Sequence, residues 1–187
     1  MKQSILAVFC ILLASAAHSA SAQVAPAAQR SGLSVTAGGE FSAFQPDYAG
    51  NGVAETSPNR LFGIGAYVDA RFNRWVQIEA EGRWLHFNQY YFGDPPTGNG
   101  ENSYLIGPRI PIHDFHGWTP YGKVLFGWGS GAFLTGRAGN IAYGGGVDYR
   151  LTRKITLRPF DFEYQQWHVT PTLWPYGASA GISYKIF

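Results

Sequence analysis

The sequence predicts an all-β fold, an eight-stranded antiparallel up-and-down transmembrane β-barrel, and three observations support this. Apolar and polar residues alternate through eight segments of ten or more residues, and a period of two over that length indicates strands rather than helices. Segments of this length exceed ordinary strands and match those that cross hydrocarbon at a tilt. Connectors are short at one end of the segments and mostly longer at the other, as in outer-membrane barrels.

The eight segments follow one another directly along the chain. They are residues 33–44, 61–72, 75–87, 103–113, 121–133, 143–152, 155–167 and 176–187. Asn73-Arg74 and Arg153-Lys154 are the shortest connectors, whereas 45–60 and 88–102 are long and rich in Gly, Pro, Asn and Asp. An even number of strands places both termini at the short-turn, periplasmic end.

The seventh segment changes phase at Pro159. Leu157 belongs to the outward face before it, and Phe160 and Phe162 belong to that face after it. One extra residue restores the alternation, so we predict a β-bulge at Pro159.

The N-terminal residues indicate export. Lys2, a short apolar run and Ala20-Ser21-Ala22 together predict a secretory signal peptide over residues 1–22, because the run is too short to span a membrane. Residues 23–31 are expected to form a flexible leader, and residues 32–187 the barrel domain. Cys10 is the only cysteine and lies in the signal, so we expect no disulfide, thiolate metal site or cysteine nucleophile.

The charge balance limits the classes of partner. The chain carries 14 Lys and Arg residues against 12 Asp and Glu residues. This near-neutral balance argues against nucleic acid as a partner.

The charged residues share one face of the predicted strands with glycine and serine, while aliphatic and aromatic residues occupy the other. The lumen of an eight-stranded barrel is narrow enough for side chains to fill, and unpaired buried charges are costly. We therefore predict a nearly balanced salt-bridge network that plugs the lumen, with Glu81 coupled to Arg150. Its members are Glu40, Asp69, Arg71, Glu79, Glu81, Arg83, Arg109, Lys123, Asp148, Arg150, Arg158, Asp161 and Glu163.

Two stretches resemble a known family. "WTPYGKVLFGWGSG" (118–131) and "NIAYGGGVDYRLTRKITLRPFDFEYQQW" (140–167) are similar to outer-membrane β-barrel proteins of the OmpA/OmpX type. The resemblance spans residues 33–187 and implies residence in the outer membrane of a Gram-negative bacterium.

The C-terminus "GISYKIF" resembles the signal that the barrel-assembly machinery reads, which makes this machinery an expected partner. The residues of this assembly signal are Ile182, Tyr184, Ile186 and Phe187. Phe187 lies out of phase with the other three.

Histidine spacing argues against a metal centre. His113 and His116 belong to a predicted periplasmic turn, whereas His86 and His168 lie near the opposite end, about 25 Å away across the barrel. Four ligands cannot converge over that distance, and we predict no metal, cofactor or catalytic residue.

The large aromatic residues have two possible roles, a carbohydrate platform or belts at the two membrane interfaces, and we favour the belts. They are Trp75, Trp84, Trp118, Trp128, Trp167, Trp174, Tyr90 and Tyr91.

Three functional classes remain. We expect a non-catalytic barrel that contacts outer-membrane lipids and lipopolysaccharide and acts in envelope structure or surface adhesion. Residues 46–60 and 89–101 are then candidate loops for an extracellular ligand. A small-solute pore is the alternative. A membrane-embedded lipid-modifying enzyme is less favoured, because His86 is followed two residues later by Asn88 and not by the serine of a His-x-Ser pair.

Overall fold

The computed structural model describes residues 32–47, 60–73, 75–87, 100–131, 136–170 and 172–187. The predicted signal peptide and leader, and most of the two long loops, lie outside these residues. The described residues form eight strands that pair in chain order and close into a barrel, which confirms the predicted fold class. The strands are β1 Ser34–Gln45, β2 Leu61–Arg71, β3 Gln77–Phe87, β4 Gly100–Pro111, β5 Trp118–Gly131, β6 Ala138–Arg150, β7 Ile155–His168 and β8 Tyr176–Lys185. Nowhere in the described part of the chain is there a helix with the length and apolarity needed to cross a membrane.

The first and last strands close the barrel by pairing antiparallel. Thr36 lies opposite Lys185 at one end of this pair. Beyond it, the Ile186 amide donates to the Val35 carbonyl at 2.8 Å, and the Val35 amide donates to the Phe187 carbonyl at 3.0 Å. Hydrogen bonding therefore continues to the end of the chain and leaves no free sheet edge between β1 and β8, as a lipid environment requires.

Strand boundaries differ from the expected ones where turn-forming residues interrupt the alternation. β4, β5 and β6 begin at Gly100, Trp118 and Ala138, three to five residues earlier than the sequence pattern indicates. Glycine, proline and asparagine in these stretches favour loops locally, but main-chain pairing with the neighbouring strands keeps them in the sheet. We refer below to the end of the barrel that carries connections 46–60 and 88–99 as the loop end, and to the opposite end as the turn end.

The predicted bulge in β7 is confirmed. Arg158 lies opposite Gly181, and Asp161 lies opposite Ser179, so β7 contains one residue more than β8 between these pairs. Pro159 falls inside this interval, where its missing amide hydrogen removes no ladder bond. The bulge allows both Arg158 and Asp161 to point into the lumen.

Side-chain oxygens shape the three connections at the turn end. Asn73 Oδ1 accepts a hydrogen bond from the Trp75 amide at 2.8 Å, which explains why β3 begins two residues later than predicted. Asp114 Oδ1 accepts from the Gly117 amide at 2.9 Å. Thr152 Oγ1 accepts from the amide three residues later at 2.9 Å. Such local bonds to Asn, Asp and Thr are typical of tight turns.

Candidate functional site in the barrel lumen

The two faces of the barrel wall are inverted relative to a soluble protein. Ile64 and Ile112 point outward and are 63% and 65% exposed, whereas Glu79, Arg83 and Arg158 point inward and are fully buried. Apolar residues outside and charged residues inside are the arrangement of a strand wall that faces lipid.

Lys123 of β5 lies at the centre of the buried charges. Its Nζ donates to Glu79 Oε1 at 2.9 Å, to Glu81 Oε2 at 3.0 Å and to Asp161 Oδ2 at 2.6 Å. Glu163 Oε2 lies 3.2 Å from the same nitrogen. The four carboxylates come from β3 and β7, neither of which neighbours β5, so this one ammonium group joins side chains across the lumen.

Arg83 of β3 joins a second set of carboxylates toward the loop end. Its Nη2 lies 2.9 Å from Glu40 Oε1 and 3.3 Å from Glu81 Oε1, and its Nη1 lies 2.9 Å from Glu163 Oε1. The Phe44 ring covers the guanidinium, with its centroid 4.6 Å from Cζ. The planar fork of arginine suits contacts in several directions at once, and an aromatic face adds a cation–π contribution.

Arg109 and Arg158 form the part of the network nearest the turn end. Arg109 pairs with Asp148 and lies 3.0 Å from Asp69 Oδ2. Arg158 Nη2 lies 2.9 Å from Glu79 Oε2 and 3.2 Å from Asp69 Oδ2. Shared carboxylates therefore link both arginines to each other and, through Glu79, to the central lysine.

Two buried tyrosines, which are absent from the predicted network, support these arginines. The Tyr121 ring centroid lies 3.6 Å from Arg109 Cζ, and the Tyr67 ring centroid lies 3.8 Å from Arg158 Cζ. Both tyrosines are in phase with the charged residues of their strands, which is the signal that identifies them.

Small residues make room for the long side chains. A Cβ atom on Gly65 would lie 2.8 Å from Glu40 Oε1, and one on Gly144 would lie 3.3 Å from Lys123 Cε. Side chains larger than glycine at these positions would displace members of the network.

The structure brings together eleven of the thirteen predicted network residues, and Arg71 and Arg150 lie apart from them. Arg150 is paired with Asp114 at 3.3 Å, and the two side chains are 61% and 45% exposed. Arg71 is likewise exposed. Each arginine is the last residue of its strand, so it has the inward phase but lies beyond the buried part of the lumen. The expected pairing of Arg150 with Glu81 is therefore wrong.

The buried network is consequently unbalanced, in contrast to the nearly balanced one expected from the sequence. Its cations are Arg83, Arg109, Lys123 and Arg158, and its acids are Glu40, Asp69, Glu79, Glu81, Asp148, Asp161 and Glu163. Some carboxylate oxygens, including Glu40 Oε2 and Asp161 Oδ1, accept no hydrogen bond from the described residues. Because each cation serves several acids, the loss of one cation leaves more uncompensated charge than the loss of one acid.

The spacing of three of these acids would suit a metal ion. Glu79, Glu81 and Asp161 bring carboxylate oxygens within 4.8 Å of one another. The Lys123 ammonium donates to all three and thus supplies the positive charge at this position.

Three apolar clusters lie beside the charges and toward the loop end, among buried polar side chains such as Glu101 and Asn140, and we call these clusters together the apolar layer. Its largest members are Phe44, Leu61, Leu85, Leu105, Leu125, Trp167 and Leu173. Trp167 is 1% exposed and donates from Nε1 to Gln165 Oε1 at 2.8 Å, so its assignment to an outer aromatic belt is wrong. Residue 167 is in phase with Glu163 and Gln165, and this phase directs it inward. The other predicted belt tryptophans, such as Trp128, are at the outer surface, and Tyr90 and Tyr91 lie outside the described residues.

The residues of the predicted assembly signal lie on the outer wall of β8 and just after it. Ile182, Tyr184 and Ile186 are about half exposed, whereas Phe187 is more buried. Phe187 therefore differs in orientation from the other three.

A closed, antiparallel eight-stranded barrel with an apolar exterior and buried ion pairs defines the class of outer-membrane β-barrels. The chain belongs to the family described as outer membrane protein beta-barrel domain, which it matches over residues 9–185. Membership in this family implies residence in the outer membrane.

Solved structures with the same fold support this classification. Neisserial surface protein A is 16% identical with a TM-score of 0.59, and 82% of this chain aligns with 97% of that one. Ail, the attachment invasion locus protein of Yersinia pestis, is 15% identical with a TM-score of 0.50 and the same coverage. A de novo designed transmembrane β-barrel is 13% identical with a TM-score of 0.50, over 81% of this chain and 94% of the design. No curated protein sequence matches this chain.

Proposed function

We propose that this protein is a non-catalytic outer-membrane barrel with a plugged lumen, which acts in surface adhesion through its extracellular loops. The observation that carries the proposal is the contact of Lys123 with four carboxylates from two non-adjacent strands. Side chains joined in this way across an eight-stranded lumen would block the passage of a solute.

The apolar layer supports the plug from the other side. Leu105 and Leu125 are almost completely buried beside the charge network. Water and ions entering from the loop end would have to pass these apolar side chains on the way to the central charges, which is unfavourable.

The position of the longest connections supports adhesion as the role. Residues 46–60 and 88–99 both connect strands at the loop end, which would be the extracellular side because outer-membrane barrels carry their longer loops there. Ail has the same fold and is named for attachment and invasion. Loops displayed on a rigid scaffold are common sites of recognition. Outer-membrane lipids and lipopolysaccharide would contact the apolar outer wall, and the barrel-assembly machinery would read the C-terminal residues.

A small-solute pore is the second candidate. It is favoured by a recess of about 200 Å³ that opens the lumen at the turn end and extends to Arg109. The buried network and the apolar layer beyond this recess oppose it. A lipid-modifying enzyme has weaker support, because His86 on the outer surface has no serine two residues away. Release of fatty acid from lipopolysaccharide by the purified protein would identify this third case.

Intact cells provide the test of adhesion. Bacteria that carry the wild-type protein should bind epithelial cells or extracellular matrix, and protease should cleave the loops within 46–60 and 89–99 from outside. Residues 100 and 101, which the sequence pattern assigns to the second loop, belong to β4. Replacement of residues 89–99 by a Gly-Ser linker of equal length should reduce attachment, because the ligand-binding side chains are lost. The matched control replaces residues 132–135 in the same way.

Both variants must retain the faster gel mobility that a closed barrel shows before heating. A further variant replaces residues 46–60 together with residues 89–99 by Gly-Ser linkers. If this variant remains folded and attachment is unchanged, the adhesive role is refuted.

A further inference from the structure

The turn end of the lumen is an open recess with a composition unlike the rest of the interior. Its volume is about 200 Å³, and Arg109, paired with Asp69 and Asp148, lies at its inner end. Cationic side chains surround its rim. They are Arg71, Arg150, Arg153 and Lys185.

The rim carries an excess of positive charge. Asp114 is the acid of the rim, and it pairs with Arg150. Among the described residues, Arg71, Arg153 and Lys185 form no ion pair. Three cations around one concave opening are therefore left without a direct counter-charge.

The acids at the inner end offset this excess only in part, because five cationic side chains line the recess against three acids. Asp69 contacts both Arg109 and Arg158, and Asp148 contacts the same two arginines. Arg71 is subject to attraction by both of these acids and to repulsion by Arg109 and Arg150. The two acids nearest the recess thus each pair with two buried arginines, whereas the three rim cations have no ion-pair partner among the described residues.

Hydroxyl groups complete the lining. Thr119, Thr152 and Thr156 face the recess between the cations, and Pro111 is the one apolar side chain that lines it. Thr152 Oγ1 accepts main-chain hydrogen bonds from its own turn, which leaves its hydroxyl hydrogen available to donate. Guanidinium groups together with hydroxyl donors are the chemistry that recognises phosphate and carboxylate oxygens.

We propose that this recess binds a small oxyanion, a phosphate or carboxylate group, presented from the periplasmic side. The cations come from β2, β6, the connection after β6, and β8, so they converge on one volume instead of forming a flat patch. The site is separate from the loop end and goes beyond the adhesive role proposed above. The oxyanion is either a free solute or the phosphate of a lipid headgroup that reaches over the rim.

The test is a calorimetric titration of the full, refolded protein in uncharged detergent with inorganic phosphate and with succinate, at constant ionic strength maintained by chloride. We expect saturable binding of at least one of the two anions. The double variant Arg71→Gln/Arg153→Gln should weaken this binding by roughly tenfold or more, because two unpaired cations are lost. Both residues are exposed and form no ion pair, so the barrel should still fold.

The matched control is Arg60→Gln/Arg137→Gln, which removes two exposed arginines at the loop end and should leave the affinity unchanged. Repeating the titration in nanodiscs identifies the source of the anion. A lower apparent affinity in phosphatidylglycerol than in phosphatidylcholine assigns the site to a lipid headgroup, and equal affinity assigns it to a free solute. Absence of saturable binding, or equal weakening by both variant pairs, would overturn the proposal.

Discussion

The apolar layer and the charge network stabilise the lumen by opposite chemistry, and the two regions should respond to mutation in different ways. In the apolar layer, Leu105 and Leu125 pack with Ala142, and each contributes in proportion to the area it buries. In the middle, Lys123 and Arg83 each serve several carboxylates. Truncating one side chain of the apolar layer should lower the free energy of unfolding in proportion to the volume removed. Removing one cation from the charge network should cost more, because several carboxylates depend on it.

The largest effect should follow removal of the central cation. Lys123→Met keeps the length of the side chain but leaves four buried carboxylates without their shared partner. We expect a loss of about 3–5 kcal/mol in the free energy of unfolding, measured by urea titration in lipid vesicles. Lys154→Met, at an exposed position on the turn after β6, is the control and should change little. A cost below that of a single surface substitution would show that the network does not depend on this ammonium.

Truncation of a side chain in the apolar layer should lower the free energy of unfolding by less than the loss of Lys123. Leu125→Ala removes a fully buried side chain from between Leu105 and Ala142 and should cost about 3 kcal/mol, including the cavity that remains. Val124→Ala, one residue away on the outer face, leaves no internal cavity and should cost less. Equal costs for the two variants in the same urea titration would mean that the layer is loosely packed.

Pairwise coupling separates true members of the network from residues that share only its phase. A double-mutant cycle on Arg83 and Glu163, whose charged atoms lie 2.9 Å apart, should give a coupling of about 1–3 kcal/mol. The same cycle on Glu81 and Arg150 should be additive, because Arg150 lies at the turn end with Asp114. Coupling in the second cycle would place Arg150 inside the buried network.

The smallest change should come from removing one of the surplus acids. Glu81→Gln keeps the shape of the side chain, and both of its cationic partners retain other carboxylates. We expect a change of about 1 kcal/mol in the free energy of unfolding, well below that of Lys123→Met. If Glu81→Gln and Lys123→Met proved equally destabilising, acids and cations would contribute equally to the stability of the network, and the excess of acids would not make a single acid dispensable.

The period-two pattern was sufficient to predict the barrel, because a strand exposed to lipid on one side and to the lumen on the other must alternate along its length. The bulge at Pro159 also follows from alternation. The outward-facing positions of β7 shift by one residue at Pro159, and an extra residue at that point is needed for this shift. Trp167 obeys the same rule, because its phase directs it into the lumen although tryptophan as a residue type favours an outer aromatic belt.

Alternation predicts the face of the strand on which a residue lies, but it does not predict the position of that residue along the barrel axis. Arg150 has the inward phase, but its position as the last residue of β6 places it in water. The separation of the lumen into an apolar layer, a charge network and a basic recess has the same origin. It depends on the stagger of eight strands relative to one another, which is set by long-range pairing and by turns such as the one that Asn73 holds.

Ion conductance of the wild-type protein in a planar lipid bilayer tests the plugged lumen most directly. The buried contacts of Lys123 and the apolar layer around Leu125 predict no steady current across the membrane voltage range, in a bilayer where a general porin conducts. Insertion of the barrel is verified in the same sample by its resistance to detergent before heating. A steady, ohmic single-channel current would contradict the account and would identify the protein as a narrow pore.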